Sequence, residues 1–554
     1  MKLRRLMFLA AVVTALSCVG AGESACGYLR QGDLWMLVGA SETGIDQYRQ
    51  AVQAAIDHFH PGAGIRLVNR GVWGRLAEEA RDAGKDLKPS VVSIILGGNN
   101  VLHTDRPPVY DLSRQAAKFG EEIRRQLKSY RAQGADVILI KPFHVHETEQ
   151  GFFAQHNMRP AMEAYREAVG RVAAEEGCPV LDFGADYDRV FAPSVGPTEV
   201  MMPDGVHTYG RGQYCYARTL IHHLGVARRL AGPDEPRGLD MTPIAAVSDV
   251  KVSRVSPFLE SAEGPLVVSI ECPVAGKARV AWSVEGSSVR GEDELTFAGK
   301  ALSYRIPVPA PTLPQAVGRV GRIVLSVTPA DGRPRLAIVD LARTRVIDIS
   351  GGVAEGEVRT DGGAPVAKWR ARIDGPDLWL SGHVVGAEFP PRPKGGAETW
   401  MNSTGMNGFM LMYDFRPPES FGENVFDRDV GQVQVSVLDD PWSVSAIAWI
   451  NVHYQAALRA FAAPAADGYD WRLGFRGHRV CFRKFDVSRN PYFGLHFFFR
   501  VYADGRMSFH PSSPQVWDDP AQVNPERRVN QQMVFDRTGR LPKGEVTVVG
   551  VFSR

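Results

Sequence analysis

The chain has 554 residues, too many for one ordinary core, so two to four domains are expected. Lys and Arg total 64 against 62 Asp and Glu, a formal net charge of +2 with no long block of like charge, which argues against nucleic acid as a partner. In chain order, Lys2, Arg4 and Arg5 precede the apolar run Leu6 to Leu16 and small residues through Ala21. Residues 1–21 therefore read as a secretory signal peptide cleaved near Val19-Gly20-Ala21, with a secreted, periplasmic or cell-surface location. Leu16-Ser17-Cys18 partly matches a bacterial lipoprotein box that would lipidate Cys18, but Ala15 stands where such boxes prefer leucine, so ordinary cleavage is favoured. No later run reaches the roughly 18 apolar residues of a spanning helix.

Residues 28–230 alternate two periods. Val91 to Leu96, Val137 to Ile140 and the run beginning at Cys178 are short and β-branched or apolar; between them Ala116 to Arg131 and Pro160 to Glu176 are helix-periodic. Such repetition predicts a parallel sheet covered on both faces, with ligand at the carboxyl ends of its strands. Residues 231–243, with Ala231-Gly232-Pro233-Asp234-Glu235-Pro236-Arg237-Gly238, read as a linker. Across 244–350, short alternating runs such as Leu266 to Ile270 and Arg322 to Val327 predict an immunoglobulin-like β-sandwich acting as a spacer. Residues 354–554 are again β-patterned and rich in aromatics, including Trp379, Trp400, Trp442, Trp449, Trp471, Trp517 and the run Tyr492 to Phe499.

Four blocks carry chemistry. Leu37-Val38-Gly39-Ala40-Ser41 is a strand ending in a small-residue turn at a serine; Asn69-Arg70-Gly71-Val72-Trp73-Gly74 is a glycine turn; Gly97-Gly98-Asn99-Asn100 follows a buried-type strand; and Asp204-Gly205-Val206-His207 sets a carboxylate three residues from an imidazole, ahead of Gly210 and Gly212. A serine hydroxyl needs a hydrogen-bonded base to become a nucleophile, and a base needs its tautomer held. Each block alone has a bland reading: a strand-end turn, an N-cap aspartate, an asparagine closing a loop.

Taken in this order, the blocks resemble the SGNH (GDSL-like) hydrolase family over about Trp35 to Leu230. The resemblance implies a three-layer α/β fold, Ser41 as nucleophile, His207 as base, Asp204 as its orienting acid, and an oxyanion hole made by the Ser41 and Gly71 N–H groups and the Asn99 amide. It implies no cofactor and no metal. Two positions depart from the family pattern: Ala40 and Asn100 stand where supporting aspartates are usual. In the last segment Asp377 to Leu380, Met412 to Arg416, Gly468 to Trp471 and Asn490 to Val501 resemble family 9-like carbohydrate-binding modules, although large rings also dominate any sandwich core.

The reading is a multidomain secreted serine esterase acting on a small ester or an acylated polysaccharide. The alternatives are a glycan acyltransferase and a non-catalytic polysaccharide-binding protein with a decayed hydrolase domain. Oligomeric state is left open. His144, His146, Glu147 and His156 form a weaker candidate for zinc, set below the reading that their loop lines the substrate cleft. Of the remaining cysteines, Cys26, Cys178, Cys215, Cys272 and Cys481, one pair, Cys178 with Cys215, could bridge. His222 and His223 read as surface residues.

Overall fold

A computed structural model describes residues 26–101 except 73, 82 and 85, then 111–143, 159–191, 208, 211–242, 244, 250–259, 265–308, 320–330, 332, 334–359, 363 and 365–385. Beyond these it describes 408–414, 430–438, 443–448, 458–465, 468–475, 479–480, 483–484, 491–501, 507–508 and 528–552. The signal-peptide and lipoprotein-box expectations at 1–21 and the zinc candidates His144, His146, Glu147 and His156 lie outside the described residues, as do Asp204, His207 and Cys481.

Five parallel strands open the chain: β1 (Leu34–Gly39), β2 (Arg66–Gly71), β3 (Val91–Ile95), β4 (Asp136–Ile140) and β5 (Val180–Leu181), in the order β2-β1-β3-β4-β5. Successive side chains leave a strand on opposite faces, and here both faces are apolar. Trp35, Leu37, Val91, Ile95 and Ile138 go to one core with Tyr48, Val52, Ala217 and Leu220. Met36, Val38, Val92, Ile94 and Leu139 go to the other with Phe119, Ile123, Leu127 and Tyr165. The first core is closed by helices α2 (Gln47–Phe59) and α6 (Arg211–His223), the second by α3 (Leu112–Ala132) and α4 (Arg159–Glu175), with a single turn α1 (Ser41–Gly44) and a short α5 (Phe183–Asp186) at strand ends. The expected α/β layers are present; the helix expected from Ala116 starts a turn earlier, at Leu112, where Asp111 accepts the Arg114 N–H at 3.1 Å as N-cap of α3. The Cys178–Cys215 pairing is corrected. Both are free thiols, buried in the two separate cores, and Cys178 Sγ donates to Val137 O at 3.1 Å.

The stretch 231–242 is an anchored strap. Arg237 donates two hydrogen bonds to Asp33, at 2.6 and 2.7 Å, and one to Tyr28 O at 2.9 Å, while Asp136 lies 2.7 Å from the same guanidinium. The Arg237 and Asp33 side chains are 7% and 4% exposed. His223 is corrected from a surface residue to a buried one: its ring meets Asp186 Oδ2 at 2.8 Å and Asp240 O at 2.6 Å.

The rest of the described chain is almost wholly β-strand. Strands β6 (Lys251–Arg254), β7 (Leu266–Glu271) and β10 (Leu302–Ile306) form one antiparallel sheet; β8 (Gly276–Val284), β9 (Arg290–Phe297), β11 (Val320–Thr328) and β12 (Arg335–Asp348) lie in another. The two share a core of Val252, Val268, Ile270, Trp282, Ile323, Leu325 and Val339. The terminal strand Gly544–Phe552 joins this unit, pairing antiparallel with β12 from Ile338↔Phe552 to Val346↔Gly544 and adding Val549 to its core. Within the aromatic segment Phe493 and Phe535 are fully buried and stacked at 4.9 Å, so these rings are core. Trp379 lies under the Arg472 guanidinium at 4.3 Å.

The first segment and the middle unit touch. His58 on α2 stands between Ser283 Oγ at 2.8 Å and Ser326 Oγ at 2.9 Å, Tyr214 Oη donates to Leu336 O at 3.3 Å, and Ile338 enters the first core. Burial, aided by Arg290 and Arg279, pushes the His58 imidazole down to about 4. Among the described residues no helix is long and apolar enough to cross a membrane, and no group of three or more His, Cys, Asp or Glu could hold a metal.

Candidate active site

Strand order 2-1-3-4-5 has its switch point between β1 and β3, where connections leave in opposite directions and open a crevice at the carboxyl edge. Ser41 follows β1 after Ala40, Asn99 follows β3, and the glycine block straddles the end of β2, so three of the sequence-predicted blocks converge on neighbouring strand ends. Ser41 and Asn99 are 5% and 7% exposed.

The serine sits on α1, whose N-cap is Ala40 with no side-chain cap. The turn closes through Gly44 N–H to Ala40 O at 2.9 Å and Ile45 N–H to Ser41 O at 2.8 Å, and stops at Asp46, whose φ is +67°. A non-glycine residue in that region costs about 1–2 kcal/mol. Asp46 is held there by Arg49 at 2.7 Å, Gln50 Nε2 at 2.9 Å and Asn69 Nδ2 at 2.6 Å.

Two glycines make room for this turn. They are register partners on β1 and β2, and a Cβ on Gly39 would lie 2.0 Å from Thr43 Oγ1, one on Gly71 2.4 Å from Gly44 N. Gly71 is thus required for packing, and its N–H donates to Asn69 Oδ1 at 2.7 Å. At Gly74 φ is +73°, a Cβ would meet nothing within 4 Å, and the carbonyl of its neighbour Arg75 accepts the Asn99 amide at 3.2 Å. The second Asn99 amide hydrogen has no partner among the described residues.

The two departures from the family pattern have local explanations or none. Asn100 Oδ1 accepts the Ala77 N–H at 3.0 Å and its Nδ2 donates to Glu78 at 3.0 Å, so an amide there matches a neighbouring carboxylate that a second aspartate would repel. Ala40 is 8% exposed, and nothing in the structure explains its presence in place of an acid.

Asp204 and His207 lie outside the described residues, but Thr208, next in sequence to His207, is fully buried and bonds to Glu42, next to Ser41. At the end of β4, Arg166 donates to Pro142 O at 2.6 Å and to Asp182 at 2.7 Å, with Lys141 3.0 Å from the other Asp182 oxygen. Burial pushes the Asp182 carboxyl up, but Arg166, the Ala185 N–H and Lys141 outweigh it and hold the group at about 2. This buried cluster fixes the Lys141-Pro142-Phe143 segment and was not foreseen; its only sequence signal is an arginine on the inner side of a helix otherwise apolar there.

A three-layer sheet with a buried serine, a glycine turn and an asparagine at adjoining carboxyl ends defines an α/β hydrolytic domain. Residues 32–214 match the family model of the GDSL-like Lipase/Acylhydrolase family, so the chain carries a GDSL-like lipase/acylhydrolase domain, a hydrolase acting on ester bonds. Among solved structures the chain is similar to an alpha/beta hydrolase enzyme from the metagenome of Lake Arreo, Spain, at 20% identity over 36% of this chain and 99% of that one, TM-score 0.31. It is also similar to an acetylxylan esterase from Geobacillus stearothermophilus, at 22% identity over 36% of this chain and 96% of that one, TM-score 0.30. No curated protein matches.

Proposed function

We propose that the protein is a secreted serine esterase that removes acetyl or other short acyl groups from a polysaccharide. Ser41 attacks the ester carbonyl while His207, oriented by Asp204, takes its proton; the alcohol leaves with that proton, and water then resolves the acyl-enzyme by the same route. The developing oxyanion is met by the Asn99 amide, the Ser41 N–H and a backbone N–H of the glycine turn that holds Gly71 and Gly74, each contributing about 2.7–4 kcal/mol by analogy with measured oxyanion holes. No cofactor is needed for this chemistry.

The observation that carries this reading is the placement of Ser41 and Asn99 on adjoining strand ends at the switch point, with Thr208 bonded to the residue after the serine. A polymeric substrate is supported by the long β-rich continuation, which we read as an immunoglobulin-like spacer from 244 to 350, completed by Gly544–Phe552, and a carbohydrate-binding-like module within 354–554. A sugar-binding module on the same chain raises the local concentration of ester groups on its polymer. The pairing of Asn100 with Glu78 speaks against decay at that position.

The test is acyl release from acetylated polysaccharides and nitrophenyl acyl esters, with Ser41→Ala as control. Ser41→Ala should lower turnover by about 10⁴-fold or more. Full activity in that variant sinks the reading, and preferential transfer to an added sugar would make the protein an acyltransferase.

A further inference from the structure

Glu42 is an acid in a turn of otherwise small residues, and the reaction as written does not use it. Its Oε1 accepts the Thr208 backbone N–H at 3.0 Å and its Oε2 accepts the Thr208 hydroxyl at 2.5 Å. Gln213 closes the arrangement. Its Nε2 donates to Thr208 Oγ1 at 2.9 Å, Thr208 O at 3.1 Å and Glu42 O at 3.2 Å, and its Oε1 accepts the Tyr48 N–H at 3.2 Å. The Thr208 hydroxyl thus donates to the acid and accepts from the amide, the only division its single proton permits. Thr208 and Gln213 are fully buried, so these bonds act in a low dielectric, where a charged acceptor is strong and an unsatisfied donor costly.

We infer that Glu42 is a positioning residue of the hydrolysis: by gripping Thr208 twice it holds the residue that follows His207 in sequence against the residue that follows Ser41. The inference rests on the reading above, in which Ser41 and His207 exchange a proton. A proton-transfer pair tolerates little misplacement, since a shift of about 1 Å can cost on the order of 10²-fold in rate. The carboxylate also sits one residue from the nucleophile, where a fixed negative charge favours the protonated form of a nearby imidazole.

The experiment compares Glu42→Gln, Thr208→Val, Thr208→Ser, the Glu42→Gln/Thr208→Val double variant and Ser41→Ala in the full chain, by kcat, KM and pH profile on a soluble ester. Glu42→Gln should lower kcat by about tenfold, leave KM within about twofold and move the acid limb of kcat/KM down by a few tenths of a unit. Thr208→Val, which removes only the hydroxyl, should show a comparable kcat loss, Thr208→Ser should stay close to the parent, and the double variant should be no worse than either single one, because the two side chains act as one unit. Parent-like kcat and pH profile in Glu42→Gln, or additive losses in the double variant, would overturn it. An active Ser41→Ala brings down the nucleophile reading itself; an inactive Ser41→Ala beside a parent-like Glu42→Gln brings down only the clamp.

Discussion

The five-stranded parallel sheet and the antiparallel unit behind it are both made of β-branched runs, but they are completed at different points of the chain. Every strand of the first comes from residues 34–181, whereas β12 is covered by a strand from residues 544–552. Ser41 and Asn99 therefore sit on a locally assembled scaffold, and the middle unit waits for a strand from residues 544–552. Since Ile338 of β12 also enters the hydrolase core, the late strand supports the catalytic segment indirectly.

The largest effect should come from removing residues 544–554. That deletion uncovers β12 and takes away Val548 and Val549, 2% and 1% exposed, each worth about 2 kcal/mol of burial. Calorimetry should show the middle unit's transition lost and the hydrolase transition lowered, with hydrolysis of a small ester retained. Unchanged transitions would mean the pairing contributes nothing.

A second comparison lies inside the glycine turn. Gly71→Ala places a Cβ 2.4 Å from the Gly44 backbone and should destabilise by about 1–3 kcal/mol while lowering kcat. Gly74→Ala meets no atom and should cost only about 1 kcal/mol of backbone strain, with its damage in kcat. Equal urea midpoints for the two would refute the close packing of α1 on β2.

The buried histidines should respond to pH with opposite signs. At His223, burial pulls the imidazole down, but the bonds to Asp186 and Asp240 outweigh it and raise the group above its ordinary value. Its contribution is complete below about pH 6.5 and is lost as pH rises through the raised value. At His58 the folded group is lowered to about 4, so stability falls between about pH 6.5 and 4 as the unfolded chain takes up a proton the folded one refuses. Urea midpoints of His223→Gln and His58→Gln against the parent should diverge on opposite sides of pH 6.5. The smallest effect is Asn100→Asp, expected to cost about 1 kcal/mol near neutrality through repulsion from Glu78 and to be relieved by Glu78→Gln.

The sheet, its helices and the positions of Ser41 and Asn99 were legible because each depends on local period and on where an apolar run stops. The bond from the Gly71 N–H to Asn69 was not, because it depends on which way a side chain two residues away turns. Asn100 looked like a lost acid until Glu78, 22 positions earlier, was beside it. His223 looked exposed because its partners come from α5 and from the strap. Residues 354–554 read only as β-patterned; β-propensity names no partner, and for Gly544–Phe552 the partner lies some 200 residues back.

The strap fastens at Asp33 and Asp136, just before β1 and at the first residue of β4. These points mark the amino edge of the sheet, and Ser41 lies at the carboxyl edge. The strap is therefore fastened at the rim of the hydrolytic sheet farthest from the serine, so its ion pairs and the nucleophile candidate lie at opposite ends of the same strands.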